Sequence, residues 1–494
     1  MLFGFFLDWR SQLPCGYDHI FFWCYKNKQK ALKDPLLFPA PQINYHAIGS
    51  RLRVYLCRVL KQTYIRLFRG GLSGDLLSLG VVQALSALLP LATVPYLLRV
   101  VGLEAFGWYN LSLALMNFGV AWVDFGFTLT GSRDKSALDA NSNAVECPDS
   151  VASSKANTLF SSFFFTQLLL LVICLPALFL LVMSIPSWRH HALFFLFSAL
   201  LLPAQVLMPA WWLQGSRQFA LLARWQVLGR LLFAGGVFSL IDSREDQLLL
   251  PLLNGGSTFL VASAAFFQVI HRHNIKLEWP GLASCWGMLR VNLPVFVGGI
   301  SSAVYAHSTL IILELFAGVR WVGLVSALEK IMLVFRMAAN SLQQVLIPRF
   351  SAQNLLKSEE IRLYFRKLIL PVTLGGVGGS ILLWLLGPQI LTLVAGQTQP
   401  EAQALLQWLG LLPPILAIGV FPSSLLLSTQ NNRLFGRNLM MAAAIGVGIQ
   451  LLLVPYFGAR ATIFSLLTAE FLLVWKNVSS MKVVLANPDK FDRA

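Results

Sequence analysis

The chain is short of charge. Only 12% of its 494 residues are Asp, Glu, Lys or Arg, roughly half the share in an ordinary soluble domain, whereas 56% are hydrophobic. That excess cannot be hidden in one water-soluble core. Cysteine is also scarce: Cys15, Cys24, Cys57, Cys147, Cys174 and Cys285 form no C-x-x-C pair and have no His partner at zinc-finger spacing. Neither a zinc module nor a disulfide framework is indicated, and the thiols read as reduced and structurally neutral. The sequence has no G-x-x-x-x-G-K-[ST], no H-E-x-x-H and no G-x-S-x-G, so nothing in it points to an ATPase, a zinc protease or a serine hydrolase. His271 and His273 have no carboxylate beside them and read as solvated loop residues. The glycines of Gly375-Gly376-Val377-Gly378-Gly379 lie in apolar sequence with no following Lys, which favours close helix packing over phosphate binding.

What the sequence has instead is apolar blocks about 20 residues long, the length a helix needs to cross roughly 30 Å of hydrocarbon. Twelve can be read, at about 76 to 98, 108 to 130, 158 to 182, 191 to 213, 219 to 240, 248 to 270, 291 to 317, 320 to 343, 367 to 387, 404 to 428, 437 to 455 and 459 to 480. Unpaired amides are too costly in lipid for open strands, so these blocks are expected to be helices. The fold class is therefore all-α, a polytopic membrane protein. With the N-terminus cytoplasmic, 29 Lys and Arg fall on the inner side and five on the outer, namely Arg99, Arg189, Arg244, Arg320 and Arg460. This asymmetry places both termini in the cytoplasm. It also explains the net charge of +16 by topology, without a nucleic-acid partner. Trp108, Trp188, Trp211, Trp212, Trp321 and Trp408 lie near span edges and are expected to anchor in the headgroup layer.

Residues 1–75 form a basic extension whose apolar patches are too short to span. It reads either as a surface segment held by anionic lipid or as a start assigned too far upstream. Residues 76–270 then form a first six-helix lobe, 271–290 a basic inner linker, 291–485 a second six-helix lobe and 486–494 a cytoplasmic tail. The long inner loop 131–157 interrupts the first lobe.

The two lobes look like copies. Shifting the chain by 216 residues lays spans 1 and 2 on spans 7 and 8 without a gap. Gly102 to Gly107 falls on Gly318 to Gly323, each in an outer turn, while Asp124 meets Asn340 and Arg133 meets Arg349. Six spans, a linker and six more in the same orientation imply a pseudo-twofold along the membrane normal, with a site between the lobes.

Eight charged residues lie within spans: Asp124, Arg224, Arg230, Glu314, Glu329, Lys330, Arg336 and Glu470. Each costs about 2.5 to 3.5 kcal/mol at mid-bilayer even on the lenient insertion scale, so most should face protein or water. Arg224 and Glu314, close to span ends, are expected to snorkel outward. Asn110, Asn117 and Asp124 recur every seven residues in span 2, as do Glu329, Arg336 and Gln343 in span 8, giving one polar stripe per helix. If both stripes face the lobe interface they line one cavity, joined by Ser301, Ser302, Tyr305, His307, Ser308 and Thr309 of span 7. Arg230 and Arg336 would make it attractive to an anion such as a diphosphate. Alternatively, Glu329 and Arg336 form a structural pair.

The segment from Asp75 to Ser136 resembles the opening of the Wzx-type O-antigen and polysaccharide flippases. It carries Leu89-Pro90-Leu91, Val94-Pro95-Tyr96-Leu97-Leu98-Arg99, Gly102, Phe106-Gly107, Asp124-Phe125-Gly126-Phe127 and Arg133. Further likenesses are Asn340, Pro348-Arg349-Phe350-Ser351, Pro455-Tyr456-Phe457-Gly458 and Thr468-Ala469-Glu470. These flippases belong to a superfamily that also holds the MATE exporters and the MurJ-type lipid II flippases, and the resemblance spans roughly residues 75–485. It implies twelve helices in two lobes, a cationic cavity and alternating access. It also implies an undecaprenyl-diphosphate-linked oligosaccharide as substrate, a bacterial cytoplasmic membrane as location, and membrane lipid and other polysaccharide-assembly proteins as partners.

The resulting expectation is a flippase, not an enzyme. Arg336 and Arg230 would hold the diphosphate, Asp124, Asn117 and the span 7 hydroxyls would bond sugar, and Asn110, Glu329, Lys330, Asn340, Gln343 and Arg133 would complete the site. No metal or cofactor is expected; energy would come from an ion gradient, H+ or Na+, or from downstream consumption of product. A MATE-like antiporter of small cations should have a carboxylate-dominated cavity, whereas four of the eight intramembrane charges are cationic. A membrane glycosyltransferase, polymerase or ligase commonly has a sizeable external catalytic loop, and the longest one here, about 388 to 403, has only Glu401 as a charge.

Overall fold

The computed structural model describes residues 89, 92–144, 149–352, 358–395, 400–429 and 431–486. The basic extension, most of the first expected span and nearly all of the C-terminal tail lie outside these residues. Regular structure among the described residues is helical: α1 (residues 92–100), α2 (Leu103–Asp124), α3 (Phe127–Ala144), α4 (Asp149–Ser184), α5 (Pro186–His190), α6 (Ala192–Ser198), α7 (Leu201–Leu207), α8 (Ala210–Gly215), α9 (Phe219–Leu240), α10 (Leu249–His273), α11 (Leu282–Ala317), α12 (Val319–Ala352), α13 (Ser358–Ala395), α14 (Pro400–Leu409), α15 (Leu412–Ser428), α16 (Asn432–Phe457) and α17 (Ala459–Ala486).

Among the described residues, ten helical segments are long and apolar enough to cross a membrane, and they are ten of the twelve expected spans. The other two are span 1, seen here as α1, and span 8, seen as α12, whose apolar run is interrupted by Arg320, Glu329, Lys330 and Arg336. Several edges differ from expectation. The loop expected over 131–157 is mostly helix, because α3 and α4 extend far past the apolar blocks on polar residues. The linker shrinks to 274–281: α10 runs through His273 to a left-handed Asn274 and α11 starts at Leu282. His271 and His273 are therefore helical rather than in a loop, and His273 lies edge-on to Trp212. Asn157 and Ser161 of α4 fasten the linker by accepting the backbone N–H groups of Lys276 and Glu278.

Proline explains the segmentation of span 4. Pro203 and Pro209 lack the N–H a continuous ladder needs, and the span divides into α6, α7 and α8. Span 2 is divided differently. Phe125 and Gly126 both take left-handed backbone conformations, φ 48° and 81°, and end α2 before α3 begins.

The duplicated turns superpose closely. Gly102 precedes α2 with φ 92°, ψ 169°, and Gly318 precedes α12 with φ 91°, ψ 164°, a conformation that only glycine adopts without strain. One turn later the two helices meet reciprocally. A side chain at Gly107 would strike the carbonyl oxygen of Val319, and one at Gly323 would strike that of Leu103; both pairs obey the 216-residue shift. Lipid supplies no hydrophobic drive between helices, so backbone approach at small residues is what holds such a crossing. The same principle accounts for the glycine run in α13, where Gly376 abuts the backbone of α15 and Gly379 abuts the Phe335 ring.

Among the described residues the two halves are joined most broadly at one end. At the end that carries the Gly102 and Gly318 turns, one apolar cluster includes Leu97, Phe106 and Trp188 together with Leu313, Val322, Leu406 and Leu467. At the opposite end the clusters are separate. One gathers Phe127, Phe160, Trp212 and Phe266 of the first half with Phe296 of α11, which stacks on Phe125 with ring centroids 4.2 Å apart, and the other gathers Leu346, Phe350, Phe421 and Met481.

The tryptophans correct an expectation. Trp108, Trp188, Trp211 and Trp212 are buried in protein, where they fill helix contacts instead of presenting their rings to lipid. Trp321 is half-buried, and Trp408 is exposed as anticipated.

Candidate functional site

Three cavities follow one another along α12. The first, about 250 Å³, lies between the halves: Thr93, Asn110, Arg230 and Asn254 line it from one side and Lys330 of α12 from the other. Lys330 also lines the second, about 290 Å³, with Tyr305, Ser308, Glu329, Arg336 and Gln450. Tyr305 and Arg336 are shared in turn with a third, about 210 Å³, where Asn340, Gln343, Ser423 and Glu470 complete the polar lining.

The span 8 stripe therefore faces polar space along its length. Its cations differ in character. Arg336 makes an ion pair with Glu470 at 2.9 Å, with the carboxylate almost wholly buried, so its charge is largely offset. Glu329, proposed from sequence as the alternative partner, is not the group it pairs with. Among the described residues neither Lys330 nor Arg230 has a carboxylate within ion-pair distance. The cationic field of the chamber between the halves comes from these two.

The span 2 stripe does not mirror this arrangement. Only Asn110 reaches a cavity, and its amide donates to the Phe106 carbonyl of its own helix at 2.8 Å. Asp124 lines none of the three cavities; its carboxylate accepts from Thr128 Oγ1 and from Gln205 Nε2, the latter at 3.0 Å, beside the left-handed break. Asn117 is half-buried and outside all three. His307 packs against the edge of Phe118. Arg133 is exposed on α3 and bridges its neighbour Asp134. Ser301 and Ser302 return their hydroxyls to carbonyls of their own helix. Of these three chambers, the span 8 stripe lines two and the span 2 stripe, through Asn110, lines one.

Glu314 corrects a further expectation. It does not snorkel: it is buried, accepting from Trp188 Nε1 at 2.6 Å and Ser187 Oγ at 3.0 Å. This carboxylate ties the second half to the first at the joined end. Arg224 is exposed, as snorkelling requires.

Sequence reading missed Gln450, Asn254 and the role of Glu470 as a charge partner. Gln450 could have been found, as a lone amide in an otherwise apolar run of α16.

The described chain is a bundle of membrane-length helices with a duplicated helix pair and polar chambers among them. The inward-facing conformation of a MATE multidrug transporter of the MOP superfamily superposes with a TM-score of 0.60 at 14% identity, over 82% of this chain and 99% of that one. The inward closed conformation of the lipid II flippase MurJ gives 0.60 at 13%, over 83% and 87%. In sequence, residues 73–353 match the family described as "Polysaccharide biosynthesis protein". A protein of Escherichia coli (strain K12) named "Putative O-antigen transporter" is 25% identical over 81% of this chain and 94% of its own length. The chain belongs to the polysaccharide biosynthesis protein family and is a multi-pass membrane transporter of that group.

Proposed function

We propose that the protein flips an undecaprenyl-diphosphate-linked oligosaccharide across the bacterial cytoplasmic membrane for surface polysaccharide or O-antigen synthesis. Both termini are cytoplasmic, so the end that carries the Gly102 and Gly318 turns is external. Residues 76–270 and 291–485 are the two lobes of an alternating-access cycle. The lipid-linked diphosphate enters from the cytoplasmic side, the prenyl chain stays in hydrocarbon, and the lobes rock to expose the headgroup outside. An H+ or Na+ gradient or downstream consumption of product supplies direction.

One observation supports this reading above the others: Arg230 and Lys330 line the same chamber, and neither has a carboxylate partner among the described residues. Two cations lining one chamber at membrane depth favour an anionic ligand, and a diphosphate satisfies both through charge-assisted hydrogen bonds. Arg336, tied to Glu470, is less available for that task. A small-cation antiporter would have to bring its substrate toward this positive pair, which opposes that alternative. The test is complementation of a flippase-null strain by Arg230→Ala/Lys330→Ala protein, with membrane insertion followed by immunoblot. Loss of surface polysaccharide at normal protein level is expected; full complementation would refute the assignment.

A further inference from the structure

The middle chamber has a mixed chemistry that the diphosphate does not use. Gln450 on α16 is 4% exposed. Its amide donates to Thr309 at 3.0 Å, but its carbonyl oxygen has no partner, and the residue lines this chamber. A buried acceptor left open in this way costs about 1–3 kcal/mol, a cost that a donating ligand would remove.

The neighbouring groups restrict what that ligand can be. Glu329 adds a second acceptor, while Lys330, Arg336, Tyr305 and Ser308 supply donors around the same space. An anion would meet Glu329 and an open carbonyl; a metal cation would meet Lys330 and Arg336. A neutral ligand whose hydroxyls both donate and accept suits both sets. Small apolar groups, Ala442, Ala443, Gly446 and Ala469, also line the chamber and leave room for the C–H face of a ring. The volume, about 290 Å³, sits at the small end of ligand pockets. Lys330 lines both this chamber and the interlobe chamber, so a group covalently attached to a diphosphate at Arg230 and Lys330 would reach it.

We infer that the middle chamber is a subsite for one sugar ring of the substrate, with the Gln450 carbonyl oxygen accepting a sugar hydroxyl. The assignment rests on the flippase reading and deepens it: the cations would hold whatever lipid diphosphate arrives, and this chamber would select for what is attached to it.

The test measures binding to purified protein in nanodiscs with two probes, undecaprenyl diphosphate alone and the lipid-linked oligosaccharide extracted from cells that carry the protein. Gln450→Leu removes the acceptor, and Ala443→Leu fills the ring face without touching a polar group. Each variant is expected to weaken the glycosylated lipid about tenfold more than the bare diphosphate. Equal weakening of the two probes, or no change in either, would overturn the subsite. Wild-type protein that binds neither probe would instead bring down the flippase reading, an outcome separable from the first because it precedes any substitution.

Discussion

Helices α2 and α12 begin alike and end differently. Each follows a glycine in the same left-handed conformation, and each presents a second glycine to the other's backbone. Beyond this crossing α2 stops at Phe125–Gly126 and consumes its polar groups locally, whereas α12 continues unbroken to Ala352 with Glu329, Lys330, Arg336, Asn340 and Gln343 facing open chambers. Duplication supplied two equivalent scaffolds. One copy keeps the structure closed at its own break, and the other handles the polar interior.

The contrast can be broken most severely where the two helices are still equivalent. Gly107→Leu and Gly323→Leu should be equally damaging, by about 3 kcal/mol or more, because overpacking here meets backbone that cannot turn aside; loss of monodisperse protein on size-exclusion chromatography would report it. Unequal losses would mean that the crossing is not symmetric. Next, the stripes should separate by phenotype. Asp124→Ala is expected to lower thermal stability, at a cost of about 1–3 kcal/mol for the donors of Thr128 and Gln205 left behind, while the protein that folds still transports. Lys330→Ala should leave the melting temperature nearly unchanged and abolish transport. Glu314→Ala should fall below Asp124→Ala only slightly, through the stranded Trp188 N–H, and Glu314→Gln should restore most of the loss because an amide oxygen can still accept. Smallest of all, Arg133→Ala should change stability by no more than about 0.5 kcal/mol and leave transport intact, since its side chain is exposed and bridges only its neighbour.

How far these assignments could be read from sequence depends on the kind of signal. Hydrophobic block length revealed the spans because the bilayer imposes it, and the 216-residue repeat located the Gly102 and Gly318 turns because their backbone conformation admits little else. Seven-residue spacing showed that Asn110, Asn117 and Asp124 share a face of α2, but not that the face is interrupted. The break at Phe125 depends on Gly126 taking a positive φ and on Gln205, 81 residues distant, satisfying the carboxylate. The pairing of Arg336 with Glu470 rather than Glu329 was equally invisible, because it depends on how α17 packs against its neighbours. Trp188 looked like an interface anchor for a similar reason: nothing local reveals that its indole N–H reaches Glu314 across 126 residues.

The two halves are joined at the Gly107–Gly323 crossing, and the central proposal is that they rock about it to open the polar chambers to either side of the membrane. Distances between spin labels test it directly, using one cysteine pair at Arg99 and Arg320 and another at Arg133 and Arg433, in protein otherwise free of cysteine. Adding lipid-linked oligosaccharide should shorten the Arg133–Arg433 distance and populate a longer Arg99–Arg320 distance. If both distances stay fixed while the lipid is bound and transported, the halves do not rock, and the account is contradicted.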